Sequence, residues 1–253
     1  VTAHHVVSRD DNIQIGLPDG RTVSAALVGR DPSTDTAVLR AEATGLTPLA
    51  ESNKQELGVG NLVLALGRPG KTVQATLGIV SALGDSWRTR MGGQIDRYLQ
   101  TDVVMYPGFS GGPLVDAHGR LAGMNTSALL GGVSLAIPTA TLARVADALV
   151  SDGRMKRGYL GVSTQRVKLP NDLREQLGQK SGLLIVSAEP DSPASAAGLT
   201  LGDTIVTLDG EKVRDHDDLL ALLSGDRVGT AVPVGILRGG QVQQMQITIG
   251  ERE

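Results

Sequence analysis

Gly108-Phe109-Ser110-Gly111-Gly112-Pro113-Leu114 sets one serine among three glycines, directly before a proline and an apolar residue. Glycine tolerates positive φ and leaves space beside the backbone, so the run has two readings. As structure it is a glycine-rich turn between strands, for which Gly-Ser-Gly combinations are common. As a site it offers a hydroxyl nucleophile together with donors. A glycine two residues before the serine can turn its N–H inward, and glycines after it let a substrate strand approach the backbone closely.

Reading outward, the chain up to about residue 137 is a series of short β-runs closed by turn signals. Ile13 to Leu17 precedes Pro18-Asp19-Gly20, Leu62 to Leu66 precedes Gly67-Arg68-Pro69-Gly70, and Thr72 to Leu83 is a further run. Strands at this spacing, without alternating helices, point to an all-β barrel or sandwich. After Pro138 the period changes. Leu142, Val145, Ala146 and Leu149 recur at helical spacing within Thr139 to Val150, and Gly153 marks the end. The domain boundary is therefore set at residue 155, giving units 1–155 and 156–253. The second unit is again β-rich, with runs at Gly158 to Val162, Leu183 to Ser187, Thr204 to Leu208, Val232 to Leu237 and Gln243 to Ile249. One helix is expected at Asp215 to Leu223, with acids at its start and Gly225 past its end.

Composition excludes several function classes. The 253 residues are 40% hydrophobic and 20% charged, as for a folded protein rather than a disordered one. The 33 glycines suit many tight turns, and with aromatics at 2% the cores must be aliphatic. A net charge of -3 offers no basic patch or stacking platform for nucleic acid. Zero cysteines rule out disulfides and thiolate chemistry. The four histidines show no metal-ligand spacing, and no phosphate-binding glycine loop with a lysine occurs, so neither metal nor cofactor is expected. The chain shows no signal peptide and no run of about 18 apolar residues, which is weak evidence because Val1 is not a start methionine.

Serine-catalysed amide hydrolysis needs a base for the hydroxyl proton, an acid to orient that base, and N–H donors for the oxyanion. Thr2-Ala3-His4-His5-Val6-Val7 supplies histidines before an apolar pair, and Asp31-Pro32-Ser33-Thr34-Asp35-Thr36-Ala37-Val38-Leu39 supplies acids before an apolar strand. With Ser110 they give the order His, Asp, Ser. These segments resemble the HtrA family of trypsin-like proteases with PDZ domains. So do Gly78-Ile79-Val80-Ser81-Ala82-Leu83, Gln100-Thr101-Asp102 and Leu135-Ala136-Ile137-Pro138, and the likeness spans nearly the whole chain.

The resemblance implies a mainly β protein, a trypsin-like double β-barrel followed by a PDZ domain. Since only four residues precede His5, where the family has roughly two strands, the first barrel is expected to be truncated at its N-terminus. It makes His5 the general base, Asp35 its orienting partner and Ser110 the nucleophile, with His4 as the alternative base; read from the residues alone, Asp35 is otherwise a helix or turn cap, as Asp31 is. The oxyanion hole would be the N–H groups of Gly108 and Ser110. Phe109 stands where the family usually has asparagine, and either packs under the loop or holds it collapsed. Val104, Met105, Thr126 and Ser127 are candidates for the specificity pocket, and being uncharged they imply a small or medium apolar residue at the cleavage point.

Gly158-Tyr159-Leu160-Gly161-Val162 resembles the PDZ loop whose backbone N–H groups receive a C-terminal carboxylate, and Ala197 to Gly210 matches the turn and strand usual there. Tyr159, Leu160, Gly161, Val162, Leu220 and Leu223 are the peptide-binding candidates. Leu160, Val162, Leu220 and Leu223 line an apolar pocket or serve as ordinary core. His216 contacts a ligand hydroxyl or caps a solvated helix start, and His118 reads as a hairpin turn. The implied function is ATP-independent degradation of unfolded or misfolded proteins in the bacterial periplasm or cell envelope. Exposed C-termini would bind the PDZ domain, and the implied assembly is a homotrimer. A proteolytically inactive chaperone-like protein, or a scaffold recruiting peptides through its PDZ domain, fits the same residues.

Overall fold

The computed structural model describes residues 1–17, 19–52, 57–223 and 227–252. It divides into two compact units, Val1–Met155 and Lys156–Glu253. Pro18 and Gly225, read above as turn and helix-stop residues, lie outside the described residues.

The first unit begins with β1 (Thr2–Ala3), a short 3-10 turn (His4–Val6), β2 (Ile13–Gly16), β3 (Thr22–Asp31) and β4 (Thr36–Ala41). These form a sheet in the order β1-β4-β3-β2. Its ends are not joined among the described residues. A cavity of about 850 Å³, lined in part by Val6, Ile13, Ile15 and Leu39, lies against it.

There follow β5 (Leu62–Gly67), β6 (Gln74–Gly84), β7 (Trp87–Arg88), β8 (Gln94–Ile95), β9 (Tyr98–Thr101), β10 (Pro113–Asp116), β11 (Leu121–Thr126), β12 (Ser134–Pro138) and α1 (Thr139–Asp152). Strands β10-β11-β12-β9-β6-β5 close into a barrel. Closure removes the open edges and buries Val63, Ala65, Val80, Leu99, Val103, Phe109, Leu114, Ala122 and Ala136 in its interior. Helix α1 presents Val145 and Leu149 to Val38 of β4, which is the face its periodicity marks. It ends at Gly153 in a left-handed cap, as glycine permits.

The second unit contains β13 (Gly158–Tyr159), β14 (Val162–Lys168), α2 (Asn171–Leu177), β15 (Ser181–Ala188), α3 (Pro193–Ala196), β16 (Thr204–Leu208), β17 (Glu211–Lys212), α4 (His216–Leu222), β18 (Ala231–Arg238), β19 (Gln241–Thr248) and β20 (Gly250–Glu251). The sheet runs β14-β15-β16-β18-β19, with β17 beside β16. Its core includes Leu183, Ile185, Ile205, Leu208, Val234, Ile236 and Ile247. Helix α4 starts one residue later than expected because Asp215 is its cap, accepting from the Asp218 N–H at 3.1 Å. Helix α2 was not anticipated. With Leu173 as its one fully buried residue, it carries too short an apolar stripe for periodicity to register. Its signals are the preceding Pro170, Asp172 in the first turn and the left-handed Gly178 at its end.

Candidate active site

Asp35 sits in the β3–β4 turn with φ of 54°, a left-handed conformation that aspartate tolerates better than most residues. The turn is built by Asp31, whose carboxylate accepts from the Ser33 N–H at 3.1 Å, the Ser33 hydroxyl at 2.6 Å and the Thr34 hydroxyl at 2.8 Å. Asp35 is thereby turned inward and is 2% exposed. Its Oδ1 accepts from the His5 backbone N–H at 3.0 Å. The His5 ring Nδ1 lies 2.9 Å from Oδ1 and 2.8 Å from Oδ2. An ionised carboxylate only accepts, so Nδ1 carries the proton and Nε2 is left as the basic nitrogen. His4 meets Asp35 only through its backbone N–H, which donates to the Asp35 carbonyl at 3.0 Å. Its own Nδ1 is buried without a partner among the described residues. The Asp35 carboxylate thus meets the ring of His5, not that of His4.

The Ser110 loop is clamped from both sides. The Gly111 N–H donates to the Asn125 carbonyl and the Asn125 N–H to the Gly112 carbonyl, each at 2.9 Å. Gly111 has φ of 82°, and a Cβ there would collide with the Thr2 hydroxyl of β1. Glycine is therefore required both by conformation and by the close approach of the strand that leads into His4 and His5. Phe109 is completely buried in the barrel core and meets Tyr106 edge-to-face at 6.0 Å. It packs beneath the loop. Among the described residues neither the Gly108 nor the Ser110 N–H has a protein acceptor, so both donors remain available beside the hydroxyl. That hydroxyl lies 3.2 Å from the Ser127 hydroxyl and is not hydrogen-bonded to His5.

The four pocket candidates separate. Val104 and Ser127 are exposed, and Met105 packs partly against the barrel core. Thr126 is completely buried, and its hydroxyl donates to Asp35 Oδ2 at 2.5 Å. A side chain without exposure and committed to the acid does not line a substrate pocket, so the expectation for Thr126 is corrected: it braces Asp35 from behind. Sequence reading missed this because strand alternation alone does not say which of Thr126 and Ser127 faces inward.

In the second unit the loop Tyr159-Leu160-Gly161-Val162 joins β13 to β14. Gly161 has φ of 76°, and a Cβ there would run into Ser192. Among the described residues the N–H groups of Leu160 and Gly161 have no protein acceptor, the arrangement of a backbone nest for an anion. The Leu160 side chain is core, so what it offers to the loop is backbone. Val162 and Leu223 are partly buried against that core, whereas Leu220 is exposed on α4. The Tyr159 hydroxyl hydrogen-bonds to Glu189, which pushes the phenol above its ordinary pKa. His216 Nε2 lies 3.0 Å from the Thr164 hydroxyl and 3.1 Å from the Thr164 carbonyl, so the start of α4 faces the open edge of β14.

A serine loop braced on a closed barrel, beside an Asp–His pair, is the arrangement of a trypsin-like peptidase, and comparison with known proteins agrees. Residues 1–124 match the trypsin-like peptidase domain family and residues 158–249 the PDZ domain family. The chain is 37% identical to a probable periplasmic serine endoprotease, DegP-like, of Halomonas elongata, over 99% of this chain and 54% of the relative. It is 35% identical to the protein of the same description from Chlamydia trachomatis, over 98% and 51%. The chain therefore spans about half the length of the curated relatives it matches. Among solved structures it is similar to the HtrA-type protease AlgW with a decapeptide, at 34% identity and TM-score 0.82, covering 100% of this chain and 79% of that one. It is likewise similar to the serine endoprotease from Yersinia pestis, at 34% and 0.81, covering 100% and 84%. The chain belongs to the HtrA-type serine proteases.

Proposed function

We propose that this chain is a serine endopeptidase in which His5 is the general base, Asp35 its orienting acid and Ser110 the nucleophile. The observation that carries the reading is the bidentate approach of Asp35 to His5 Nδ1 at 2.8 and 2.9 Å, on a segment packed against Gly111 of the serine loop. Ser110 Oγ attacks the scissile carbonyl as its proton passes to His5 Nε2. The oxyanion is met by the Gly108 and Ser110 N–H groups, and His5 returns the proton to the leaving amine. Met105, Val104 and Ser127 flank the substrate side and favour a small or medium apolar residue there. Substrates are unfolded or misfolded proteins outside the cytoplasm, degraded without ATP, and the PDZ domain captures exposed C-termini through the Leu160 and Gly161 N–H groups.

A second reading, peptide binding without cleavage, is favoured by the Ser110–Ser127 hydrogen bond at 3.2 Å. Such a neutral bond contributes about 0.5–1.5 kcal/mol. Releasing Ser110 therefore costs about tenfold in rate at most, small beside a protease's rate enhancement. Labelling with a fluorophosphonate, alongside casein digestion, distinguishes the readings. The chain should label and digest, while Ser110→Ala and His5→Ala should do neither. Equal labelling of the chain and Ser110→Ala, or no labelling of either, rejects the protease assignment.

A further inference from the structure

Outside the two sites described, four cationic side chains converge on a recess of about 440 Å³ in the second unit: Arg166 and Lys168 of β14, Arg174 of α2 and Lys180 before β15, with Val167 and Ser181 completing its wall. No carboxylate lines it. Among the described residues none of the four cations forms an ion pair, although acidic residues outnumber basic ones in this unit. Both guanidiniums are held from behind. Arg166 donates through Nε to the Ser181 hydroxyl at 3.2 Å, and Arg174 through Nε to the Leu169 carbonyl at 2.5 Å. Their terminal nitrogens have no protein acceptor among the described residues, and both side chains line the recess. Asp218 feels the Arg166 charge, but its oxygens are taken by Arg214, at 2.7 and 2.9 Å.

The position of the recess identifies its occupant. β14 is the edge strand of the sheet, paired only with β15, and the carboxylate-binding loop stands at its N-terminal end. A ligand whose C-terminus is held there and which adds to β14 must run antiparallel to it, toward Lys168. Residues opposite pair one to one along a ladder. With the last ligand residue beside Val162, Thr164 and His216 meet the third residue from the end. Arg166 and Lys168 then meet the residues about four and six before the last one.

We infer that the PDZ unit selects C-terminal peptides bearing acidic side chains about four to six residues upstream of the terminal carboxylate. Arg166, Lys168, Arg174 and Lys180 form the subsite that receives them. The inference rests on the capture of C-termini proposed above, with the captured peptide adding as a strand to β14.

The test uses the full chain carrying Ser110→Ala, to prevent cleavage, and two fluorescent peptides. They share an apolar C-terminal tetrapeptide and differ in carrying either Glu or Gln at the upstream positions. Two half-exposed charge pairs imply about fivefold tighter binding of the Glu peptide by polarisation at low salt, with the advantage fading at high salt. Arg166→Gln/Lys168→Gln should abolish the advantage while leaving the Gln peptide's affinity unchanged. Equal affinity for the two peptides, or an advantage that survives the double substitution, overturns the subsite while leaving strand addition intact. Failure of both peptides to bind overturns strand addition itself. If the two peptides bind equally but anionic vesicles bind in a manner lost in the double variant, the recess is a membrane contact and the peptide assignment is wrong.

Discussion

Thr126→Val removes one hydroxyl while nearly keeping the side chain's shape, and it tests whether Thr126 serves the acid or the substrate. Thr126 is fully buried; its hydroxyl donates to Asp35 Oδ2 at 2.5 Å and accepts from the Ala128 N–H at 3.1 Å. Valine leaves the buried Asp35 carboxylate with His5 alone, through the backbone N–H at 3.0 Å and the ring at 2.8 and 2.9 Å. A hydrogen bond to a charged group is worth about 1.5–3 kcal/mol, and each 1.36 kcal/mol is about a factor of ten in rate. If half of that loss falls on orientation of His5 in the transition state, kcat on a fluorogenic peptide should drop about threefold to tenfold. The remainder should appear as about 1 kcal/mol of lost stability in urea. KM should be unchanged, because a buried side chain does not touch substrate, and Thr126→Ser should restore both losses. A raised KM with unchanged kcat would return Thr126 to the specificity pocket. A Ser variant impaired while the Val variant is not would show that the methyl group, and not the hydroxyl, is what matters.

Asp116 gives a pH-dependent test. Burial raises its pKa, but the Arg120 and His118 N–H groups, the Ser52 hydroxyl and the Arg120 guanidinium outweigh burial and hold it at about 2, against an ordinary 3.8. A lowered folded pKa stabilises above the unfolded value and is lost as pH falls from about 4 to 2. Asp116→Asn should therefore cost about 2 kcal/mol near neutrality, and denaturation curves at pH about 6 and about 3 should show the gap shrinking. In the second unit, Arg238→Met strands Asp203, which is 2% exposed on its side chain and held by Arg238 at 2.7 Å. That should cost about 3 kcal/mol in urea, and a loss below about 0.5 kcal/mol would mean that the carboxylate finds water instead. Phe109→Ala should cost about 3–5 kcal/mol, the range for truncating a buried aromatic, read as a lowered melting temperature.

The double-unit β architecture was legible because it is written in local signals: β-branched runs, turn residues, and one stripe at Leu142, Val145 and Leu149 with Gly153 beyond it. The order His5, Asp35, Ser110 was read from motifs and a resemblance, and of the three the structure brings Asp35 and His5 into contact. What was not legible depends on distance in space. The brace from Thr126 to Asp35 joins residues 91 apart in sequence, and nothing around Thr126 marks it as different from Ser127. The same holds for the cationic recess, where Arg166 comes from β14, Arg174 from the unanticipated α2 and Lys180 from the segment before β15. Phe109 was ambiguous in sequence because a bulky residue in a glycine loop packs either under or over it; its complete burial in the barrel core is a tertiary fact.

The consecutive residues Asn125, Thr126 and Ser127 each hold a different part of the proposed centre. Asn125 clamps the serine loop through two backbone bonds at 2.9 Å, Thr126 braces Asp35, and Ser127 engages the Ser110 hydroxyl. The end of β11 therefore acts as a ruler that fixes the serine loop relative to Asp35. Its register is set by Pro113 opposite Met124 on one side and by Leu135 to Pro138 opposite Thr126 to Gly123 on the other. Side chains alternate across a strand, so a slip of one residue would turn Thr126 away from Asp35 and point Ser127 or Asn125 there instead. The closed barrel forbids that slip, because every strand in it is paired on both edges. Barrel closure, which looks like a matter of stability, is thus what keeps Asp35 and Ser110 in fixed relation.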